Sequence, residues 1–198
     1  MSEIIEIKDK KKAIRKHIAE IKKTISMQLK QDLSEIIMAK VEKLPEFKMA
    51  KTILLYYSLP DEVQTELFLK KWAKTKTGKR IVLPVVEGVN LILKEYKEDM
   101  IAKGYQSILE PTNTCTVNPN EIELAIIPGV AFDSSCNRLG RGKGFYDRLL
   151  PNVHCKIIGL GYDFQMVDQI PLEEFDQPLN KVITNSNCFI AQEQHPRL

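Results

Sequence analysis

Ile126-Ile-Pro-Gly-Val-Ala-Phe-Asp-Ser-Ser-Cys-Asn-Arg-Leu-Gly-Arg-Gly-Lys-Gly-Phe-Tyr-Asp-Arg-Leu-Leu150 is the stretch from which the fold is read. The apolar run Leu124 to Ile127 predicts a buried strand. Pro128 and Gly129 stop it, and a polar turn runs from Asp133 to Asn137. Three cations follow, Arg138, Arg141 and Lys143, interleaved with Gly140, Gly142 and Gly144. Phe145 to Leu150 predicts a short helix closed by Pro151.

Working outward, strands and helices alternate. Toward the N-terminus, Ile14, Ile18, Ile21 and Ile25 recur at helical spacing and predict a helix over Lys10 to Lys23. Ser26 reads as the N-cap of a second helix, Met27 to Leu44, ended by Pro45. Thr52 to Tyr57 reads as a strand apolar on both faces. Thr65 is placed to cap a third helix, Glu66 to Thr75, with Leu67, Phe68 and Trp72 turned inward. Further strands are expected at Ile81 to Val86, Leu91 to Tyr96, Lys156 to Tyr162 and Lys181 to Thr184. Short helices are expected at Met100 to Tyr105 and Asp163 to Val167, and a frayed end after the last strand. The pattern predicts one α/β domain over residues 1–198: a Rossmann-like, largely parallel sheet covered by helices. In such sheets ligands bind outside the carboxyl ends of the strands, where both the Gly-rich loop and Glu62 would lie.

The loop's chemistry points to phosphate. Glycines let backbone N–H groups approach a ligand, Arg offers a fork of donors and Lys a compact charge, and a helix start adds unpaired N–H groups. Three clustered cations repel one another unless an anion sits among them. Two familiar templates do not fit. A P-loop would need Gly at position 137 and Ser or Thr after Lys143, where the chain has Asn137 and Gly144. The dinucleotide fingerprint needs Gly-x-Gly-x-x-Gly, and the loop is Gly-x-Gly-x-Gly.

Composition narrows the class. Hydrophobic content of 43% and charged content of 28% are ordinary for a globular protein. The net charge of +3 is too mild to demand nucleic acid. The basic cluster Lys8 to Lys16 lacks the interleaved aromatics of a stacking platform. No apolar run reaches the length of a membrane span, and the N-terminus carries no signal-type apolar core. The four cysteines form no Cys-x-x-Cys pair and the three histidines are scattered, so zinc is not expected and free thiols are. Cys136 reads as a turn residue. Lys11 and Arg15, four apart, share a helix face, and spacing alone reads them as a solvated basic face. Tyr57 and Glu62 by themselves read as a core Tyr and a surface Glu. Asp147 and Asp176 are the acidic candidates: a carboxylate at a helix start is either a partner of the helix dipole or, beside a phosphate loop, a ligand for Mg²⁺.

Pro128-Gly-Val-Ala-Phe-Asp133 followed by Asn137-Arg-Leu-Gly-Arg-Gly-Lys-Gly-Phe-Tyr-Asp147 resembles the 5-formyltetrahydrofolate cyclo-ligase (methenyltetrahydrofolate synthetase) family, and the likeness runs along nearly the whole chain. The resemblance implies ATP- and Mg²⁺-dependent closure of 5-formyltetrahydrofolate to 5,10-methenyltetrahydrofolate, with ADP and phosphate released. It implies that Lys11, Lys12 and Arg15 on the N-terminal helix bind ATP together with Arg138, Leu139, Gly140, Arg141, Gly142, Lys143, Gly144, Phe145 and Tyr146. It places folate against Tyr57, Glu62 and Arg141 to Phe145, and Mg²⁺ on Asp147 and Asp176. Arg141 and Lys143 become the catalytic cations, Lys143 nearest the transferred phosphoryl group. The family's loop often has Tyr where this chain has Phe145, and many members have His where it has Phe175. The rival readings are a sugar-phosphate isomerase or CoA transferase, which share the architecture, and a nucleic-acid-binding module. The expected partners are small molecules alone, with no membrane or nucleic acid, for a cytoplasmic monomer.

Overall fold

The apolar runs assemble into one seven-stranded sheet, with two short two-stranded ribbons beside it. The structure is a computed structural model and describes residues 2–74, 78–105 and 108–192. Its central strands are β1 (Thr52–Leu54), β2 (Arg80–Glu87), β6 (Leu124–Pro128), β9 (Lys156–Leu160) and β10 (Lys181–Ile183), all parallel. Antiparallel strands β3 (Asn90–Glu95) and β11 (Cys188–Ile190) close the two edges. The order is β11-β10-β9-β6-β1-β2-β3, which bears out the expected α/β class with a largely parallel sheet.

Both faces of the sheet are covered, as uniformly apolar strands require. Ile53, Leu124, Ile126 and Ile158 face one way, against helices α2 (Met27–Lys43), α3 (Pro45–Met49) and α4 (Glu66–Lys74). Leu54, Ala125, Ile127 and Ile157 face the other way, toward Leu149 and Leu150 at the end of helix α5 (Phe145–Leu149). Each fully buried Leu or Ile stabilises by about 1.5–3 kcal/mol relative to exposure. A third apolar cluster lies outside the sheet: Ile18 of helix α1 (Ser2–Thr24) packs with Val130, Ala131, Leu139 and Ile170. α1 is thereby fixed against the ribbon of β7 (Ala131–Phe132) and β8 (Arg138–Leu139) at the root of the Gly-rich loop.

Local expectations hold where the sequence signal is strong. Ser26 caps α2 by accepting from Leu29 N at 3.1 Å, worth about 1 kcal/mol. Elsewhere they shift. α1 begins eight residues before the expected Lys10, at Ser2. Pro45 not only ends α2 but starts α3, the position a proline favours. Thr65 Oγ1 donates to Tyr56 O at 2.6 Å. Leu67, expected inward, is exposed, because α4 buries Leu69 and Trp72 instead. Met100 to Tyr105 is not a helix: β4 (Ile101–Lys103) pairs with β5 (Leu109–Pro111). An isolated helix of six residues is marginal, whereas the ribbon gains support by leaning on β2. The end expected to fray supplies β11, and residues 193–198 lie outside the described residues. Among the described residues no helix is long and apolar enough to cross a membrane.

Candidate active site

In chain order the five parallel strands are arranged 2-1-3-4-5, and the winding reverses between β1 and β6. A crevice opens at such a switch point because the connections leave in opposite directions. The segments leaving the carboxyl ends of β1 and β6 are Tyr56 to Glu62 and the Gly-rich loop, and together they line a cleft of about 330 Å³.

Asp133 builds the turn between β7 and β8. Its Oδ1 accepts from Ser135 N and Asn137 N, both at 3.0 Å. Its Oδ2 accepts from Asn137 Nδ2 at 2.9 Å and Ile170 N at 3.0 Å. Cys136 occupies this turn at φ 65° and is buried. Burial pushes its thiol up to about 11, so it is a turn residue and not a nucleophile. Beyond the turn, Gly142 (φ 85°) and Gly144 (φ 67°) take left-handed conformations that a side chain would strain. α5 follows with only five residues, so it contributes local N–H groups more than a macrodipole. From beneath, Arg15 Nε donates to Gly140 O at 2.8 Å, tying α1 to the loop.

Among the described residues five cations surround the loop, and four of them have carboxylate or carbonyl partners; Arg148 Nη2 donates to Lys143 O at 3.0 Å. Arg138 is buried and donates from Nη2 to Asp147 Oδ1 at 2.6 Å, while its Nε has no partner. Arg141 donates from Nη2 to Asp61 Oδ1 at 2.6 Å and to Glu62 Oε1 at 3.2 Å. Arg15 holds the loop backbone. Lys143 lines the cleft, is exposed, and its ammonium meets no acceptor among the described residues. Behind Asp61 stands the buried Lys22, with Nζ to Asp61 Oδ2 at 3.0 Å. Glu62 is buried, and its Oε2 accepts from Leu59 N at 3.0 Å. Burial raises its carboxyl, against the opposing pull of the Leu59 N–H and Arg141. The Tyr57 hydroxyl is pushed up to about 12, by burial first and by Glu66 second. Across from the loop the wall is largely apolar: Pro84, Val86 and Leu91 from the β2–β3 hairpin and Ile108 from the ribbon, with Glu110 beside them. Tyr105 meets Phe145 edge-on at 5.9 Å between centroids.

The cleft thus gathers Tyr57, Glu62, Arg138, Gly140, Arg141, Gly142, Lys143, Gly144, Phe145, Tyr146 and Asp147. Glu62 is not the surface residue that its position alone suggests. Leu139 does not face the cleft; its side chain is core. Lys11 is not on a solvated face. It is buried, with Nζ at 2.7 Å from Glu173 Oε2 and 2.5 Å from Asp176 Oδ2. Lys12 is exposed, as a solvated face predicts. Asp147 and Asp176 answer to different cations, yet both act electrostatically on the Arg15 guanidinium. Phe175 is exposed with Lys11 Nζ 5.8 Å from its ring centroid. Sequence reasoning missed Lys22 and Asp61 as partners of the site, and the whole apolar wall. The wall's sequence signal was the apolar runs of β2 and β3, which mark strands without saying what they face.

Comparison with known proteins gives one consistent result. The sequence model of the 5-formyltetrahydrofolate cyclo-ligase family matches residues 7–185. The 5-formyltetrahydrofolate cyclo-ligase of Haemophilus influenzae is 33% identical, covering 88% of this chain and 97% of the relative. That of Escherichia coli is 31% identical, covering 87% and 98%. Among solved structures, Aquifex aeolicus 5,10-methenyltetrahydrofolate synthetase superposes with a TM-score of 0.84 at 31% identity, over 95% of this chain and 96% of that one. A 5,10-methenyltetrahydrofolate synthetase from Mycoplasma pneumoniae gives 0.70 at 29%, over 87% and 97%.

Proposed function

The chain belongs to the 5-formyltetrahydrofolate cyclo-ligase family, and from that premise we propose how its cleft carries out the ATP-dependent closure of 5-formyltetrahydrofolate to 5,10-methenyltetrahydrofolate. The observation that carries the reading is the division of one cleft into two walls. A glycine loop with an unengaged lysine suits a triphosphate, and an apolar, aromatic wall suits a flat heterocycle.

The N5-formyl group is unreactive because amide resonance dulls its carbon and its oxygen leaves poorly. The formyl oxygen attacks the γ-phosphorus and ADP departs, leaving an O-phosphorylated iminium. N10 then attacks the formyl carbon, loses its proton, and phosphate leaves. Phosphoryl transfer depends on positioning and charge neutralisation. Lys143 is the cation open to the transferred group. Arg141, held over Glu62 and Asp61, lies between the loop and the β1 segment, so one side chain answers to both substrates. Arg138 orients Asp147, and Tyr57, Phe145 and Tyr146 supply ring surface for the substrates.

Among the described residues no cluster of three His, Cys, Asp or Glu forms a protein cage for a metal. Mg²⁺ needs none, since it binds through one or two carboxylates plus substrate phosphates and waters. Asp147 fits that role, with Oδ1 engaged by Arg138 and the carboxylate at the cleft; Asp176, the second candidate, is not part of the cleft lining, and its Oδ2 already accepts from Lys11 Nζ and Glu173 N. The ion would supply charge neutralisation on the phosphate oxygens. In this reading residues 1–198 act as one monomeric catalytic unit in the cytoplasm.

The test is a spectrophotometric assay of methenyl product with 5-formyltetrahydrofolate, ATP and Mg²⁺ varied in turn. Product is expected only with all three present. Lys143→Met should lower kcat by about two orders of magnitude, as loss of a transition-state charge partner does. Turnover without nucleotide would overturn the mechanism, and wild-type kinetics in Lys143→Met would remove Lys143 from it.

A further inference from the structure

A second buried carboxylate lines the cleft, and the mechanism above does not use it. Glu110 of β5 is only 7% exposed, and it belongs to the wall opposite the loop, with Pro84, Val86, Leu91 and Ile108. Among the described residues it has no ion pair, and its one hydrogen bond is a long one, Val86 N to Oε1 at 3.3 Å. The backbone makes room for it: a Cβ at Gly104 would collide with Glu110 Oε2. A buried carboxylate with one long hydrogen bond has acceptor capacity left unused, and an unpaired buried polar group carries a desolvation cost. A ligand that brings N–H donors to it relieves that cost. The surrounding wall is apolar, so the donor must sit on a flat, largely apolar body and not on a hydrated ion.

Glu62 lines the same cleft but has less acceptor capacity to spare than Glu110. Its Oε1 is engaged by Arg141 and its Oε2 by Leu59 N. We propose that Glu110 reads the donor edge of the pterin, accepting from the 2-amino group and the N3–H as a paired set. A carboxylate matches that edge because two parallel N–H groups meet two oxygens. Tyr105 lies five residues before Glu110, and its ring touches Phe145 of the loop. The ribbon that carries Glu110 is therefore continuous with the phosphate side of the cleft. Glu110 is a specificity-determining residue on this assignment, and the assignment rests on the folate reading above.

Calorimetry without ATP tests it, using 5-formyltetrahydrofolate and its analogue with methyl in place of the 2-amino group. Wild-type protein should bind the natural folate more tightly than the analogue by about tenfold or more, the size of a lost charge-assisted contact. Glu110→Gln should weaken the natural folate by about the same factor and bring the two ligands close together, with ATP affinity unchanged. Its melting temperature should not fall, because the amide keeps the shape and can still accept the one long bond from Val86 N. Glu62→Gln should leave the ratio between the two ligands intact. If wild type binds neither folate, the folate reading fails and this inference with it. If wild type prefers the amino ligand and Glu110→Gln keeps that preference, or loses stability while keeping folate affinity, the inference alone is overturned.

Discussion

Glu62 shows how one side chain carries a stability cost and a functional role together. Burial raises its carboxyl above the ordinary value, although Arg141 and the Leu59 N–H pull the other way. A carboxyl that binds its proton more tightly when folded weakens folding as it ionises. The sign follows: stability is lost as pH rises from the ordinary carboxyl value through the raised one. Glu62→Gln removes this dependence and keeps the shape. The melting temperature of wild type minus that of the variant should therefore decline across that window and level off above it. A difference that does not change with pH would mean that the carboxyl is not raised. At this scale the sequence named basic and aromatic residues that the fold gathers in one cleft, Tyr57, Arg138, Arg141, Lys143, Phe145 and Tyr146, but not their partners. Asp61 lies beside Glu62 in the chain, yet only the fold brings Lys22 and Arg141 to its two oxygens.

α1 is the element whose role the sequence least disclosed. Its periodic isoleucines predicted a helix, and helix formation depends on local spacing. The partners of Lys11 lie 162 and 165 residues away, a distance no local pattern encodes. The short ribbons were illegible for the same reason, since strands of two or three residues carry too few alternations to mark a period. In the structure α1 joins the Gly-rich loop to the segment around Glu173 and Asp176. Lys11 and Arg15 should accordingly separate in experiment. Lys11→Met leaves two carboxylates without their cation and should cost about 3–5 kcal/mol of stability. Arg15→Ala removes one charge-assisted bond, worth about 1.5–3 kcal/mol, and should also raise the KM for ATP roughly tenfold, since its guanidinium sits under the loop. Chemical denaturation and ATP titration of both variants read these effects. Unchanged stability in Lys11→Met, or unchanged ATP kinetics in Arg15→Ala, would detach the corresponding residue from its assigned work.

The whole molecule is arranged so that one cleft has walls from distant parts of the chain. The loop side comes from β6 to α5 and is backed by α1. The apolar side comes from the β2–β3 hairpin and the β4–β5 ribbon. The parallel strands were readable from sequence because several are apolar on both faces, and their carboxyl ends marked where a ligand would bind. Which wall takes which ligand follows only from the tertiary arrangement, and hydrogen exchange can separate them. A ligand that binds only the folded state suppresses the openings that expose amides around its site. ATP alone should slow exchange at residues 140–147 and, through Arg15, along α1 near residues 11–18. 5-Formyltetrahydrofolate alone should slow exchange instead at residues 84–93 and 108–111. Both ligands together should protect the β1 segment around residues 59–62 more than either does alone, because Arg141 links that segment to the loop. Protection of the β2–β3 hairpin by ATP alone would reverse the two walls. Simple additivity at residues 59–62 would show that Arg141 does not couple them.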